Sequence, residues 1–373
     1  MDLVNKKIFL TVTNDLATDQ RMQRICSTLA GAGADVCLVG RKTPWMIPMP
    51  VLPFRNVRLG VAVHKGFLFY ALYNIRLFFY LLHKEIDILV SNDLDTLPAC
   101  RMVSLLRRKV LVYDTHELFT EVPELVNRRL VRSIWLGLEK LFLPGVRYCY
   151  TVNPSLAAYY HVKYGVHMKV IRNLPLTRVP SGEVIRPFPG TEGKKIILYQ
   201  GSVNLGRGLE LVIDAMANLP GYILLIIGTG DVLDNLKERV RFRQLESRVL
   251  FAGRISPAEL YPFTRQAMVG LSVEEQAGLN YYYASPNKLY DYIQARVPVL
   301  VSPFPEMQSL VEAWAIGQVV RERTPEGMAR QLREMTEDET LRLQWQGGLE
   351  MAAIELCWEK EQEKLLEFYR SLS

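Results

Sequence analysis

The sequence predicts an α/β protein built from two Rossmann-like, doubly wound parallel-sheet domains that face each other across a cleft. Three observations carry this expectation. Apolar strand patterns alternate with helical patterns from end to end, and such alternation means parallel sheet with crossover helices. The alternation stops once, over residues 176–194, and then restarts. A chain of 373 residues with 49% hydrophobic content is also too long for one typical core and suits two domains of ordinary size.

In the first domain, residues 1–175, KIFLTVT reads as a strand, RMQRICSTLAGAG as a helix and DVCLVG as the next strand. DILVSND, KVLVYDTHE, YCYTVN and KVIRNL follow as strands, most with helical stretches between them. GFLFYALYNIRLFFYLLH, residues 66–83, is the most apolar stretch and nearly long enough to span a bilayer. Asn74 and Arg76 interrupt it near the centre, and a mid-bilayer arginine is costly. It is expected as a buried helix of the first domain, with a surface helix that touches membrane as the alternative.

LTRVPSGEVIRPFPGTEGK, residues 176–194, is rich in Pro, Gly and charge and lacks periodicity, so it reads as a linker. The second domain, residues 195–350, then runs KIILYQGS, a helix through LELVIDAMANL, YILLIIGTG, a helix through LDNLKERVRFRQL and RVLFAG. It continues with a helix through AELYPFTRQA, MVGLSV, a helix from PNKLYDYIQARV and VPVLVS. In open parallel sheets ligands sit at the carboxyl ends of strands, so two such units are expected to hold a ligand between them.

The net charge of +6 is mild and its residues are scattered. That favours anionic small molecules or a lipid surface over nucleic acid. Cys26, Cys37, Cys100, Cys149 and Cys357 form no C-x-x-C pair and lie in or beside apolar segments, which favours buried thiols in a reducing compartment over disulfides or zinc. MDLVNKKIFL runs straight into a strand pattern without signal-peptide character, so the expected location is cytoplasmic.

Unusual residues gather at the strand ends of the second domain. YQGSVNLGRGLELVIDAM puts Gly201, Gly206 and Gly208 in a strand-to-helix turn with Arg207 inside it. Glycine lets a backbone approach phosphate closely, a helix N-terminus follows, and an arginine can grip the anion bidentately. Gly228 and Gly230 in GTGD permit a second close approach. Either glycine group alone serves turn geometry as readily as a ligand, and neither a G-x-G-x-x-G fingerprint nor a G-x-x-x-x-G-K-[ST] loop is present. PNKLYDY adds Pro286 at a helix start with Asn287 and Lys288 beside the free backbone N–H groups, which is where an anion binds well.

The ordered set of TDQRMQRICSTLAGAGADVCLVG, VLVYDTHELFTE, ILYQGSVNLGRGLELVIDAM, LLIIGTGD, VLFAGRISPAELYPF and SPNKLYDYIQARVPVLVS resembles the retaining glycosyltransferases of the GT-B fold, family 4 type. CWEKEQEKLLEFYRSL resembles their closing helix, so residues 351–373 are expected to cross back to the first domain. The resemblance covers almost the whole chain. It implies transfer of a sugar, with retention, from a UDP- or GDP-sugar to a glycan, lipid-linked or small-molecule acceptor, in bacterial polysaccharide or envelope glycan synthesis. No metal or other cofactor is implied, nor any nucleic-acid partner; peripheral contact with the inner face of the cell membrane is a further expectation.

The resemblance also assigns roles. Arg207 stands at the family's lysine in the G-x-x-x-x-x-K-G turn, and Lys288 is the second cation expected near the diphosphate, where charge develops as it leaves. Gly201, Ser202, Gly228, Gly230 and the backbone N–H groups of residues 286–289, Leu289 included, complete the cradle. Asp291 is expected on the ribose hydroxyls, and the base against the backbone near Gly253 and Arg254. His116 in YDTHE is expected to donate a hydrogen bond to the transferred sugar; the alternative is a histidine held at a strand end by Asp114 or Glu117.

Departures from the family pattern shift some roles. Ser202 replaces an arginine common after the first glycine, which moves phosphate contacts toward Lys288. Of two glutamates separated by seven residues, Asp291 replaces the second and Tyr283 falls on the first, so Glu274 or Glu275 is expected to act from a longer loop. TNDLATDQR replaces the usual glycine pair, with Asp19 and Arg21 assigned to the acceptor side. Asp93 of the D-x-D in SNDLDT is assigned to helix capping or acceptor contact ahead of manganese. NYYYA reads equally as a stacking platform or a packed loop. A sugar-nucleotide epimerase of the same fold and a non-catalytic nucleotide-sugar-binding subunit are the rival functions.

Overall fold

A computed structural model describes residues 2–43, 48–122, 128–178 and 187–372, without the side chains of Pro257 and Ala258. The chain forms two compact units, Met1–Asn173 with Lys360–Ser373, and Leu174–Glu359. Residues 179–186 of the expected linker lie outside the described residues. The later linker residues pack as part of the second unit, with Thr191 buried and Phe188 edge-on to Phe263 at 6.0 Å.

The first unit has seven parallel strands in the order β3-β2-β1-β4-β5-β6-β7. These are β1 (Lys7–Thr11), β2 (Asp35–Arg41), β3 (Arg55–Leu59), β4 (Ile88–Asn92), β5 (Val110–Thr115), β6 (Tyr148–Thr151) and β7 (Lys169–Val170). Central β1 and β4 are buried along nearly their whole length, because crossover helices cover a parallel sheet. Those helices are α1 (Gln20–Gly31), α2 (Gly66–Leu82), α3 (Leu97–Arg107), α4 (Arg129–Phe142) and α5 (Pro154–Tyr164). The sequence reading missed β3, an edge strand whose five residues RNVRL carry two arginines and only two apolar side chains.

The expectation of a buried helix over residues 66–83 needs correction. α2 buries only Phe69, Tyr73, Leu77 and Leu81, one face at helical spacing, and Leu68, Ile75 and Phe79 remain exposed. An apolar composition hid this, since hydropathy cannot tell two sides of a helix apart when both are apolar. Among the described residues no helix is long and apolar enough to cross a membrane.

The second unit repeats the strand order as β10-β9-β8-β11-β12-β13. Its strands are β8 (Lys195–Gln200), β9 (Tyr222–Ile227), β10 (Val249–Gly253), β11 (Val269–Ser272), β12 (Val299–Val301) and β13 (Gly317–Val319). The short β13 also escaped the sequence reading. Its helices are α6 (Leu209–Ala215), α7 (Leu233–Phe242), α8 (Pro257–Thr264), α9 (Leu279–Tyr282), α10 (Asn287–Gln294), α11 (Pro305–Trp314), α12 (Pro325–Glu337) and α13 (Glu339–Glu355). Position 350, the expected end of this domain, lies inside α13. The final helix α14 (Trp358–Arg370) is tied to the first unit. Its Glu361 accepts from Arg172 N at 2.8 Å, and Phe368 meets Tyr150 edge-on at 5.2 Å.

In each sheet the strand order reverses beside the first strand, between β1 and β4 and between β8 and β11. The crevice at the carboxyl ends of such a pair is where open α/β sheets bind ligands. All five cysteines are buried and free.

Candidate functional site

At the switch point of the second unit, β11 delivers a carboxylate into the protein. Glu274 follows the strand and is fully buried, with Oε1 2.7 Å from Lys288 Nζ and 3.5 Å from Arg207 Nη1. Its Oε2 accepts a hydrogen bond from Ser272 Oγ at 2.8 Å. Burial alone raises a carboxyl pKa; here the Lys288 and Arg207 charges, with the Lys288 and Ser272 hydrogen bonds, outweigh it and hold Glu274 below its ordinary range.

Aromatic faces complete both cation sites. Lys288 Nζ lies 4.2 Å from the centre of the Tyr199 ring, and the Arg207 guanidinium lies 4.5 Å from that of Tyr281. Tyr281 therefore acts as a packed platform for Arg207. Tyr282 is spent on Phe304 at 5.4 Å, so these two tyrosines of NYYYA favour the packed-loop reading. Arg323, which the sequence reading missed, donates to Glu274 O at 3.2 Å, to Val273 O at 3.1 Å and to Ser302 Oγ at 3.1 Å. No local motif marks it, because it arrives from the segment after β13. Two side-chain cations, Lys288 buried and Arg207 partly exposed, against one carboxylate leave an excess of positive charge at the start of α10, an arrangement suited to an anion.

The predicted residues of this unit divide. Arg207 and Lys288 converge on Glu274, while Glu275 is exposed, its backbone N–H donating to Gly206 O at 2.8 Å and its carbonyl accepting from Ala277 N at 2.7 Å. Asp291 accepts from Gln200 Nε2 at 3.2 Å, and Gln200 Oε1 in turn accepts from Thr264 Oγ1 at 2.8 Å. The expected row of backbone donors over residues 286–289 needs correction. Pro286 has no N–H and precedes the helix as its cap, and the Leu289 N–H returns to Pro286 O at 3.0 Å, so two of the four are not on offer. Asn287 is exposed at the helix start.

Gly201 and Ser202 are exposed at the end of β8, and Arg254 is exposed beyond β10. Gly228 and Gly230 have a structural reason of their own. A Cβ on Gly228 would lie 1.8 Å from Gly201 O, and one on Gly230 would lie 2.2 Å from Val203 O. These glycines let the loops after β8 and β9 touch.

In the first unit His116 is partly exposed and its Nδ1 lies 2.8 Å from Asp93 Oδ2. Asp93 Oδ1 accepts from Thr115 Oγ1 at 3.1 Å and from the His116 N–H at 3.2 Å. The partner is thus neither Asp114 nor Glu117 but a residue from the neighbouring strand end. Burial opposes charge on the ring, yet the Asp93 charge and hydrogen bond outweigh it and push the His116 pKa up to about 10. Burial likewise opposes charge on Asp93, and His116 overcomes it and holds the carboxyl below its usual range. The pair is an imidazolium and a carboxylate, with Nε2–H the ring's remaining donor.

Asp93 adopts φ +57, a conformation uncommon outside glycine, which aims its carboxylate at His116. It does not cap α3, whose N-cap position is Thr96. Asp95 accepts from Thr13 and, through burial and then the nearby Asp93 charge, has its pKa pushed up to about 7. Among the described residues no three His, Cys, Asp or Glu side chains are grouped to hold a metal ion.

Two residues expected on the acceptor side carry structural contacts. Asp19 caps α1, accepting from Met22 N at 3.0 Å. Arg21 is buried in a two-armed ion pair with Asp114, at 2.7 and 2.5 Å.

Residues 183–347 match the family of glycosyl transferases group 1. That span holds the Arg207, Glu274 and Lys288 cluster. The two parallel-sheet units are those of the GT-B fold. Sucrose-phosphate synthase from Thermosynechococcus elongatus is 18% identical with a TM-score of 0.80, covering 98% of each chain. WaaG, a glycosyltransferase involved in lipopolysaccharide biosynthesis, is 18% identical with a TM-score of 0.74, covering 98% of this chain and 100% of its own. Anabaena Alr3699/HepE, in complex with UDP and glucose, is 14% identical with a TM-score of 0.73, covering 99% and 100%. No curated protein matches the chain by sequence.

Proposed function

We propose that this protein transfers a glycosyl group from a nucleotide-diphosphate sugar to an acceptor. One observation carries the reading: Arg207 and Lys288 meet at the buried Glu274, at the β8–β11 switch point of the unit that matches glycosyl transferases group 1. When the donor bond breaks, negative charge grows on the diphosphate oxygens. Fixed cations in a site of low dielectric stabilise that charge without reorganising. Glu274 holds both side chains in place before the ligand arrives, and Arg207, the more exposed of the two, meets the phosphates first. Asp291, steadied by Gln200, is a carboxylate acceptor for ribose hydroxyls.

In the first unit, His116 is an imidazolium whose Nε2–H suits a sugar hydroxyl. Neither cation site supplies a carboxylate free to form a covalent bond to sugar, because Glu274 is buried between them. Transfer with retention then proceeds by departure and attack on the same face of the sugar, without metal. A uridine donor is the first to test, since HepE was captured with UDP and glucose. Bacterial polysaccharide or envelope glycan synthesis is the proposed setting.

A thermal-shift panel of UDP, GDP, ADP and CDP tests the reading. At a hundred times Kd one diphosphate is expected to stabilise by about 2.7 kcal/mol, roughly 5–10 °C for a unit of this size. Arg207→Ala and Lys288→Ala should each remove most of that shift. Absence of a shift with every nucleotide would defeat the proposal, and isomerised nucleotide sugar formed without acceptor would replace it with epimerase chemistry.

A further inference from the structure

We propose that the outer face of α2, α3 and α4 in the first unit docks on an anionic lipid bilayer, lying in its interface without crossing it. The three helices form one layer. Tyr70 of α2 meets Trp135 of α4 edge-on at 5.1 Å, and Asn74 of α2 accepts from Ala99 N of α3 at 3.1 Å. Each helix turns large apolar side chains outward: Leu68, Ile75 and Phe79 on α2, Leu106 on α3, Leu130 and Leu141 on α4, all at least half exposed. A monomeric soluble surface rarely gathers so many in one patch.

The charges identify the occupant. GFLFYALYNIRLFFYLL and LPACRMVSLLR contain no Asp or Glu. The single acid of RLVRSIWLGLEKLF, Glu139, is 1% exposed and held by Lys163 and Tyr164. Arg76, Arg108, Arg129 and Lys140 are exposed on or at the ends of these helices. Apolar side chains beside cations, with no exposed acid within α2, α3 or α4, complement headgroups that are negative above an apolar layer. A second copy of the chain fits less well, because a twofold contact would set this basic face against itself.

The inference does not depend on the transfer reaction. Its test is co-sedimentation of the full chain with phosphatidylglycerol vesicles and with phosphatidylcholine vesicles. Binding to the anionic vesicles is expected, at least about tenfold weaker on the neutral ones and at high salt. Phe79→Glu and Leu130→Glu should each weaken it about tenfold or more, as should Arg76→Glu combined with Lys140→Glu. Far-UV circular dichroism and melting temperature would show that these exposed-site variants stay folded. Equal binding to both vesicle types, no binding to either, or variants that bind like the parent would overturn the proposal. So would sedimentation velocity showing a dimer that the same variants dissociate. Vesicle binding without any nucleotide shift would count against sugar transfer alone.

Discussion

Glu274 Oε1 lies 2.7 Å from Lys288 Nζ, a contact that joins the end of β11 to the first turn of α10. With Arg207 on the same oxygen at 3.5 Å, one carboxylate faces two side-chain cations. On the proposed function, a ligand anion and Glu274 compete for the same cations.

Glu274→Gln should separate those two effects. Without ligand, the buried Lys288 and the partly exposed Arg207 lose their counter-charge, and the second unit is expected to lose about 3 kcal/mol. A bound diphosphate then supplies the missing charge, so the nucleotide-induced shift in melting temperature should be larger in the variant than in the parent. The depressed Glu274 pKa sets the pH sense: its stabilisation is present above its unfolded pKa and lost as pH falls through the folded value. Thermal melts of both proteins with and without UDP decide this, and a smaller shift in the variant would mean that Glu274 itself binds the ligand.

His116 should remain charged through neutrality. Its raised pKa, about 10, makes the pair's contribution complete below the free-histidine pKa and lost as pH rises from roughly 6.5 through 10. Asp93 adds the acid limit, losing its part as pH falls below the ordinary aspartate range. Asp93→Asn keeps a residue that tolerates φ +57 and removes the charge. In that variant the imidazole should titrate near 6.5 by NMR, and transferase activity should fall as pH rises through that value. A parent ring that already titrates near 6.5 would refute the assignment.

Asp95→Asn should stabilise the first unit at alkaline pH. With its pKa pushed up to about 7, Asp95 favours the folded state while protonated, so this stability is complete below the unfolded value and lost as pH rises through 7. At pH 8 the variant escapes burial of a second negative charge beside Asp93, a gain on the order of 4 kcal/mol, and at pH 4 the two proteins should melt nearly together. Equal melting at both pH values would show that Asp95 is ionised at little cost.

Local chemistry made Arg207 and Lys288 legible, because a glycine turn and a helix start announce themselves within a few residues. The choice between Glu274 and Glu275 was not legible. Successive residues at a strand end point to opposite faces, and only packing shows that the first is buried and the second exposed. Asp93 escaped as the partner of His116 because it comes 23 residues earlier, from the end of β4, which parallel pairing brings beside β5. Arg21 looked available for the same reason, since its partner Asp114 sits 93 residues away. The strand order was readable as a class and not strand by strand, since β3 and β13 are too short or too charged to leave a pattern.

Gly228→Ala tests whether glycine at the end of β9 serves backbone or ligand. Its φ of +146 is strained for any side chain, and a Cβ would lie 1.8 Å from Gly201 O, a backbone atom that cannot rotate away. The loops after β8 and β9 would have to part, disturbing the hydrogen bonds from Gly201 N to Ile227 O at 2.9 Å and from Val203 N to Thr229 O at 3.0 Å. The second unit should lose about 3 kcal/mol or more before any ligand is added, while the first unit melts as before. A variant of unchanged stability that failed to bind nucleotide would instead make Gly228 a point of close approach for the ligand, since only then would the added methyl obstruct the diphosphate and leave the fold intact.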